Sequence, residues 1–557
     1  MNRRALLSTM LGKEADSPAP MVALPPVNSG LQPYQGRWTF AQASHLLRRT
    51  MFGPTFAQMK EAVQTGMDAV VEALLKDQPL PDLPINVNQG DPLLSFGETW
   101  VDKEIPRGNA DAINKRRLSL RSWMMETLLE EGMSVREKMT VFWMDHFVVE
   151  LFITRDPTFM YKHITFMREL ATGDFREMVK KATLSPSMLR YLNGNDNNKN
   201  APNENYAREL LELFTVGKGD LAGEGDYTTF TEKDVEQAAK ALTGWKDEGY
   251  YKRSDNERTG ARFLPNLHDT STKQLSPRFN NTQIPNKGAD EYAYLIDVIF
   301  ESPFVATYIC EKLYRYFVFY KISDEVRQNV IEPMAQIFRD NNYTIKPVLE
   351  ALFKSEHFYD ALNRGPMIKN PVDFMMSSFK QFEVEIPSRD DLTRRYFMLN
   401  KMYAELEDMQ MELFDPPDVA GWKAYYQEPL YYRIWINSVT LPERVKFSDS
   451  ITGRGFTAGS IRAKVDVFYF VETVDDPYDP NSVVGDFAKI LFPQPLTQGQ
   501  LDGLKEILIP GLPDFEWTIE YEEYKNNPND TKIADSVEKK LRSLVTAMVN
   551  MPEYYLS

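Results

Sequence analysis

Apolar and polar positions alternate along most of this chain with helical spacing, and the most sharply drawn stretch is Asn203 to Gly219, N-E-N-Y-A-R-E-L-L-E-L-F-T-V-G-K-G. At about 100° per residue, Tyr206, Ala207, Leu210, Leu211, Leu213 and Phe214 share one arc, while Glu204, Asn205, Arg208, Glu209 and Glu212 fill the other. The pattern predicts an amphipathic helix. Asn203, behind Pro202, can accept the first orphan N–H groups, and Gly217 or Gly219 can supply a left-handed exit. Arg208 is four residues from both Glu204 and Glu212, a spacing that suits a solvated ladder of ion pairs and the wall of a site equally.

The same periodicity predicts helices at 40–51, at 55–65 behind a capping box of Thr55 with Gln58, at 67–76, at 118–131, and from Arg136 behind a second box of Ser134 with Glu137. Thr231 with Asp234, stapled by Phe230 and Val235, opens another that stops at Gly244. Further helices are expected at 290–300, 304–322, 324–340, 345–355, 371–382 and 390–414. Asn193 to Asn200, N-G-N-D-N-N-K-N, is an apolar-free loop that feeds the polar face of the central helix. After Pro416-Pro417 the texture changes. Residues 425–435 are dense in aromatics, 466–474 (D-V-F-Y-F-V-E-T-V) has strand propensity, Thr497 with Gln500 caps a helix, and 536–550 reads as a last helix. The expectation is a mostly α protein with three parts. These are a flexible N-terminal arm (1–36), a large multi-helix core (37–440) and an aromatic-rich, minor-β or irregular C-terminal region (441–557) ending in a helix.

Composition changes this picture mainly by exclusion. With 557 residues, 43% of them hydrophobic, the chain can bury a substantial core. No apolar run reaches the roughly 18 residues that a spanning helix needs, and the most apolar segment, 314–322, is interrupted by Arg315, so no transmembrane segment is expected. The net charge of -16 argues against nucleic acid, whose counterion release requires clustered Lys and Arg. Cys310 is the only cysteine, which excludes an internal disulfide and a thiolate metal cluster.

No HExxH, P-loop, GxGxxG or G-x-S-x-G motif is present. Candidate chemistry is therefore assembled from single residues. Glu209 and Glu212, at i, i+3, could present two carboxylates as acid and base, with Arg208 tuning them or holding an anion. His268 beside Asp269 suits either a carboxylate–imidazole unit or a plain loop turn. His146, on an apolar helix, reads as a hydrogen-bonded structural imidazole or as a metal ligand. No cofactor is predicted; a divalent metal, if bound, would go to His146 or His268. Binding candidates are Asn203, Glu204, Asn205, Arg208, Trp245 and Trp422, and Trp245, Trp422, Tyr425, Tyr426 and Trp435 could stack on a sugar or simply fill the core.

Several stretches together resemble the bacterial family called domain of unknown function 1800 (DUF1800). They are H-L-L-R-R-T-M-F-G-P-T (45–55), R-E-K-M-T-V-F-W-M-D-H-F (136–147), N-E-N-Y-A-R-E-L-L-E-L-F-T-V-G (203–217), T-E-K-D-V-E-Q-A-A-K-A-L-T-G-W (231–245), His268-Asp269, and F-D-P-P-D-V-A-G-W (414–422). Where the family often has H-N-H-F this chain has Met144-Asp145-His146-Phe147, which removes one of two histidines. After His268-Asp269 the family tends to a glycine-ending turn, whereas Thr270 to Lys273 runs on without glycine. Family members are often encoded beside a twin-arginine-exported, sulfatase-like family, domain of unknown function 1501. That implies a protein partner and an envelope or periplasmic location, and it favours reading Met1-Asn2-Arg3-Arg4-Ala5-Leu6-Leu7 as a degenerate or uncleaved export signal over a chance basic start on a cytoplasmic protein. The expected function is an accessory envelope protein that binds a partner protein or an extended ligand. The alternatives are a hydrolase using the Glu, Arg and His residues above, and a carbohydrate-binding protein.

Overall fold

Three of the predicted helix starts are built as read. In the computed structural model, which describes residues 29–88, 91–105, 109–252, 254, 257–423 and 434–557, Thr55 with Gln58, Thr231 with Asp234 and Thr497 with Gln500 each form a reciprocal capping box. The Arg3-Arg4 start, Tyr425 and Tyr426 lie outside the described residues. Asp234 does more than cap, since its buried carboxylate also accepts the Ser276 N–H at 2.7 Å. Thr231→Ala removes one cap bond and is expected to cost about 1 kcal/mol, read as a lower denaturation midpoint.

The fourth box does not form. Ser134 Oγ accepts only the Arg136 N–H, the Glu137 N–H donates to Glu131 Oε1 at 2.8 Å, and the Glu137 carboxylate is held by Arg168. A buried guanidinium offers that carboxylate two charge-assisted bonds, which outweigh one bond to an N-cap amide.

Helices build the molecule, as the periodicity predicted. Among the described residues, strand is confined to two-stranded antiparallel ladders: Leu221–Gly223 with Asp226–Tyr227, Trp245–Glu248 with Gly260–Phe263, Lys273–Gln274 with Gln283–Ile284, and Phe456–Ala458 with Ile461–Ala463. The strand expected at 466–474 is instead a short helix, Val467–Val471. Asp466 accepts the N–H groups of Phe468 and Tyr469, and Phe470 packs between Phe382 and Phe487 with ring centroids 4.7 and 4.3 Å away. The cap and the burial of Phe470 decide the backbone there, and propensity does not.

One apolar cluster runs through the chain from Ala43 to Tyr555. The Ala110–Glu130 helix, capped by Asn109, lies along Leu392–Asp408, and Arg136–His146 packs on Pro157–Glu169. No single helix among the described residues is long and apolar enough to cross a membrane. Gly288–Ile299 and Phe304–Phe317 have the length together, but they are bent by 75° and bury Leu295, Ile299, Ile309 and Leu313 in the core. Beyond the Thr531–Val549 helix, Tyr554 meets Phe374 edge-on and Tyr555 meets it tilted, and the Ser557 N–H donates to the Met367 carbonyl at 2.9 Å.

Candidate functional site

The central stretch is helical for Asn205–Glu209 and then widens into a π-helical segment, Leu210–Thr215, before Gly217 exits at φ +74°. Asn203 does not cap deeply; its Oδ1 accepts the Asn205 N–H at 3.0 Å. The widening leaves the Leu213 and Phe214 carbonyls to outside donors. The Tyr308 hydroxyl donates to Leu213 O at 3.1 Å, and His146 Nε2 donates to Phe214 O at 3.1 Å. Lys312 Nζ donates to His146 Nδ1 at 2.8 Å, which fixes the imidazole in its Nε2–H tautomer. Gly217 is required here, because a Cβ would lie 2.5 Å from the Tyr308 ring.

The polar face of this helix is largely engaged in ion pairs. Arg208 binds Glu232 through two bonds of 2.8 and 2.6 Å and Glu204 through one of 3.2 Å, and Glu212 pairs with Lys218 at 2.9 Å. The ladder therefore closes on Glu232, from the next helix, rather than on Glu212. Asn205 is exposed. Glu209 is half-buried and forms no ion pair among the described residues; burial, then the Glu212 charge, push its pKa up from 4.5 to about 7. Below pH 4.5 the carboxyl is protonated folded or unfolded, so stability is unaffected. Between 4.5 and 7 the folded state keeps a proton that the unfolded chain has lost, and stability falls as pH rises. Glu209→Gln should accordingly stabilise the protein at pH 8 by about 1 kcal/mol, after discounting for the solvent screening of a partly exposed group, and leave it unchanged near pH 4.5. Denaturation midpoints at the two pH values check this, and equal differences at both would contradict it.

The structure does not bring the other sequence candidates to this face. His268 Nδ1 lies 2.9 Å from the Thr243 carbonyl and Nε2 3.3 Å from Glu291, which is itself fully buried against Lys273. Asp269 Oδ1 accepts the Ser271 N–H at 2.8 Å, the geometry of a turn. Trp245 packs on Phe263 and Tyr292, and shares with Asn203 and Tyr206 a small cavity of about 20 Å³. Among the described residues no group of three or more His, Cys, Asp and Glu side chains is arranged to hold a metal ion.

What the structure does assemble is a cavity of about 110 Å³ where the motif segments meet. Arg49 comes from H-L-L-R-R-T; Lys138, Phe142 and Asp145 come from R-E-K-M-T-V-F-W-M-D-H-F; Trp422 comes from D-P-P-D-V-A-G-W. Lys312, Tyr316, Asp373 and Trp435 complete the walls used below. Lys138 is paired with Asp373, and both are largely buried. Gly421, at φ +79°, lies flat on Asp145, whose Oδ1 accepts the Trp422 N–H at 3.0 Å and so aims that indole into the cavity. The Trp422 and Trp435 rings are 6.4 Å apart at 58°, and Phe142 and Tyr316 are 5.1 Å apart. The cavity is several times what one water needs, and its walls can hold an apolar or sugar ring at one side and a polar end at the other.

Of the sequence candidates within the described residues, Trp422 and Trp435 line this cavity, with His146 one step behind Lys312. Arg49, Lys138, Lys312 and Asp373 were missed. One signal for three of the lining residues was present: Lys138, Phe142 and Asp145 stand at i, i+4 and i+7, a single helix face that mixes charge with an aromatic.

Three of the segments on which the family resemblance rests, 45–55, 136–147 and 414–422, meet here. The family described as a protein of unknown function, DUF1800, matches residues 45–556. No curated protein and no solved structure matches the chain. Matched over nearly its whole length, the chain belongs to the DUF1800 family.

Proposed function

We propose that the protein is a binding protein that takes part of an extended ligand into the cavity between the motif segments, with no reaction assigned. The observation that carries this reading is the convergence of Arg49, Lys138, Asp145 and Trp422, from three separate motifs, on one cavity. The polar face of the central helix, which would have to supply acid–base groups, has Arg208, Glu204 and Glu212 in ion pairs. A carbohydrate is the ligand class favoured by a specific feature, since two indoles at 6.4 Å on one wall suit stacking on a sugar ring. An envelope location and a sulfatase-like protein partner belong to the same proposal; they rest on the twin-arginine-like start and on the company the family keeps.

Native mass spectrometry of protein purified from the cells that make it tests the reading. A bound mass should persist in Arg208→Gln and disappear in Trp435→Ala, which alters a partly exposed wall residue. Protein without a bound mass, or a mass retained in both variants, would overturn it; a co-purifying protein retained in both would shift the reading to docking elsewhere on the surface.

A further inference from the structure

Behind the cavity lies a cluster of buried cations with few carboxylates to balance it. Arg48, Arg49, Lys138, Lys369 and Arg444 are between 0% and 5% exposed, and Asp373 is the carboxylate set among them. Lys138 takes that carboxylate as its partner. The others are held by neutral groups. Arg49 donates to the Phe317 and Tyr316 carbonyls and to Ser557 Oγ, and Lys369 Nζ donates to the Tyr554 carbonyl at 2.9 Å. Arg48 donates to the carbonyls of Lys489 and Ile490, and Arg444 to that of Lys369 while lying over the Phe374 ring. Nε and Nη1 of both Arg48 and Arg444 are buried with no hydrogen-bond partner among the described residues.

Buried charge is costly unless it is paired, and among the described residues four of these cations have no anionic partner of their own. Burial pulls the pKa of each of the five below its ordinary value, and the neighbouring cations add to this at Lys138 and Lys369. The field of such a cluster points to the nearest space an anion can enter. That space is the cavity, because Arg49, Lys138, Asn370 and Asp373 line it and Lys369 sits between the lining residues Ile368 and Asn370. In a chain of net charge -16, a concentrated positive site in a low-dielectric wall selects for anions far more strongly than exposed lysines do.

Resting on the reading of the cavity as a ligand site, we propose that the group it admits is an oxyanion, a carboxylate, phosphate or sulfate, carried on the ligand and held between the Arg49–Lys138 wall and the two indoles. The oxyanion accepts hydrogen bonds from Lys138 Nζ and Asn370 Nδ2, and Lys369, Arg48 and Arg444 act on it through space without contact. An acidic sugar satisfies both walls at once.

Calorimetric titration with D-glucuronate, inorganic phosphate, inorganic sulfate and neutral D-glucose tests this on the full chain. Glucuronate should bind one to one, more tightly than glucose by at least tenfold, and more weakly as NaCl is raised. Lys138→Gln should weaken glucuronate binding at least tenfold, and Lys312→Gln, a partly exposed wall change that keeps the test open if the first variant misfolds, at least threefold. Tight phosphate or sulfate binding with weak glucuronate binding, lost in the same variants, keeps the oxyanion and reassigns its source. Glucose binding as well as glucuronate overturns the oxyanion while leaving the cavity as a ligand site. Anion binding that both variants retain, or no binding by any of the four probes, overturns the inference as well.

Discussion

Arg168→Met is expected to destabilise the protein by about 3–5 kcal/mol, because it leaves the buried Glu137 carboxylate without its main partner. Arg168 and Glu137 are at most 1% exposed and are joined by Nε–Oε1 and Nη2–Oε2 bonds of 2.6 and 2.8 Å. The guanidinium also lies 4.6 Å from the centre of the Trp123 ring. Arg136, 3.3 Å from Glu137, is the remaining cation. Beside it Glu131 is pushed up to about 8, first by burial and then by the Glu137 charge. Replacing both members, Glu137→Met with Arg168→Met, should recover most of the loss, since an ion pair exchanged for apolar groups of similar volume is close to neutral. Denaturation midpoints decide; a single variant within 1 kcal/mol of the wild type would show that the pair does not anchor the R-E-K-M segment.

Gly421→Ala has the second large effect, and it acts on the site. A Cβ at 421 would stand 2.0 Å from Asp145 Oδ1 and 2.8 Å from the Asp145 carbonyl oxygen, at a φ of +79° that side chains rarely adopt. The left-handed conformation costs about 1–2 kcal/mol and the overlap about 1–3 more, and the segment relieves it by lifting Trp422 off Asp145. The expected outcome is a loss of roughly 2–5 kcal/mol together with weaker ligand binding. Asp145→Asn, which can keep the Oδ1 acceptor for the Trp422 N–H, should bind ligand nearly as well as the wild type. Tryptophan fluorescence separates these cases, because Trp422 becomes more exposed only in the glycine variant.

Much of the fold could be read from local chemistry. The capping boxes at Thr55, Thr231 and Thr497 involve residues three apart, and the helical stripes need only their own period. What escaped the sequence was decided across the chain. Ser134 and Glu137 have the spacing of a box, but Arg168, 31 positions away, captures the carboxylate. The π widening at Leu210–Thr215 answers to Tyr308, Lys312 and His146, which donate to the freed carbonyls from other helices. Asp466 and Phe470 turn a strand-like run into a helix through a cap and a packing site. The cavity is the extreme case, since Lys138 and Asp373 are 235 positions apart and nothing along the chain pairs them. Three of the family motifs supply segments that line the cavity, but which side chains faced one another was set only when the helices packed.

The most direct measurement is an experimental structure of the protein purified from the cells that make it, at a resolution that shows bound groups. Density within the cavity, flanked by Trp422 and Trp435 and in contact with Lys138, is the predicted result. Density on the Glu209 and Glu212 face of the central helix, with the cavity holding only solvent, would contradict it and move the function to the polar helix.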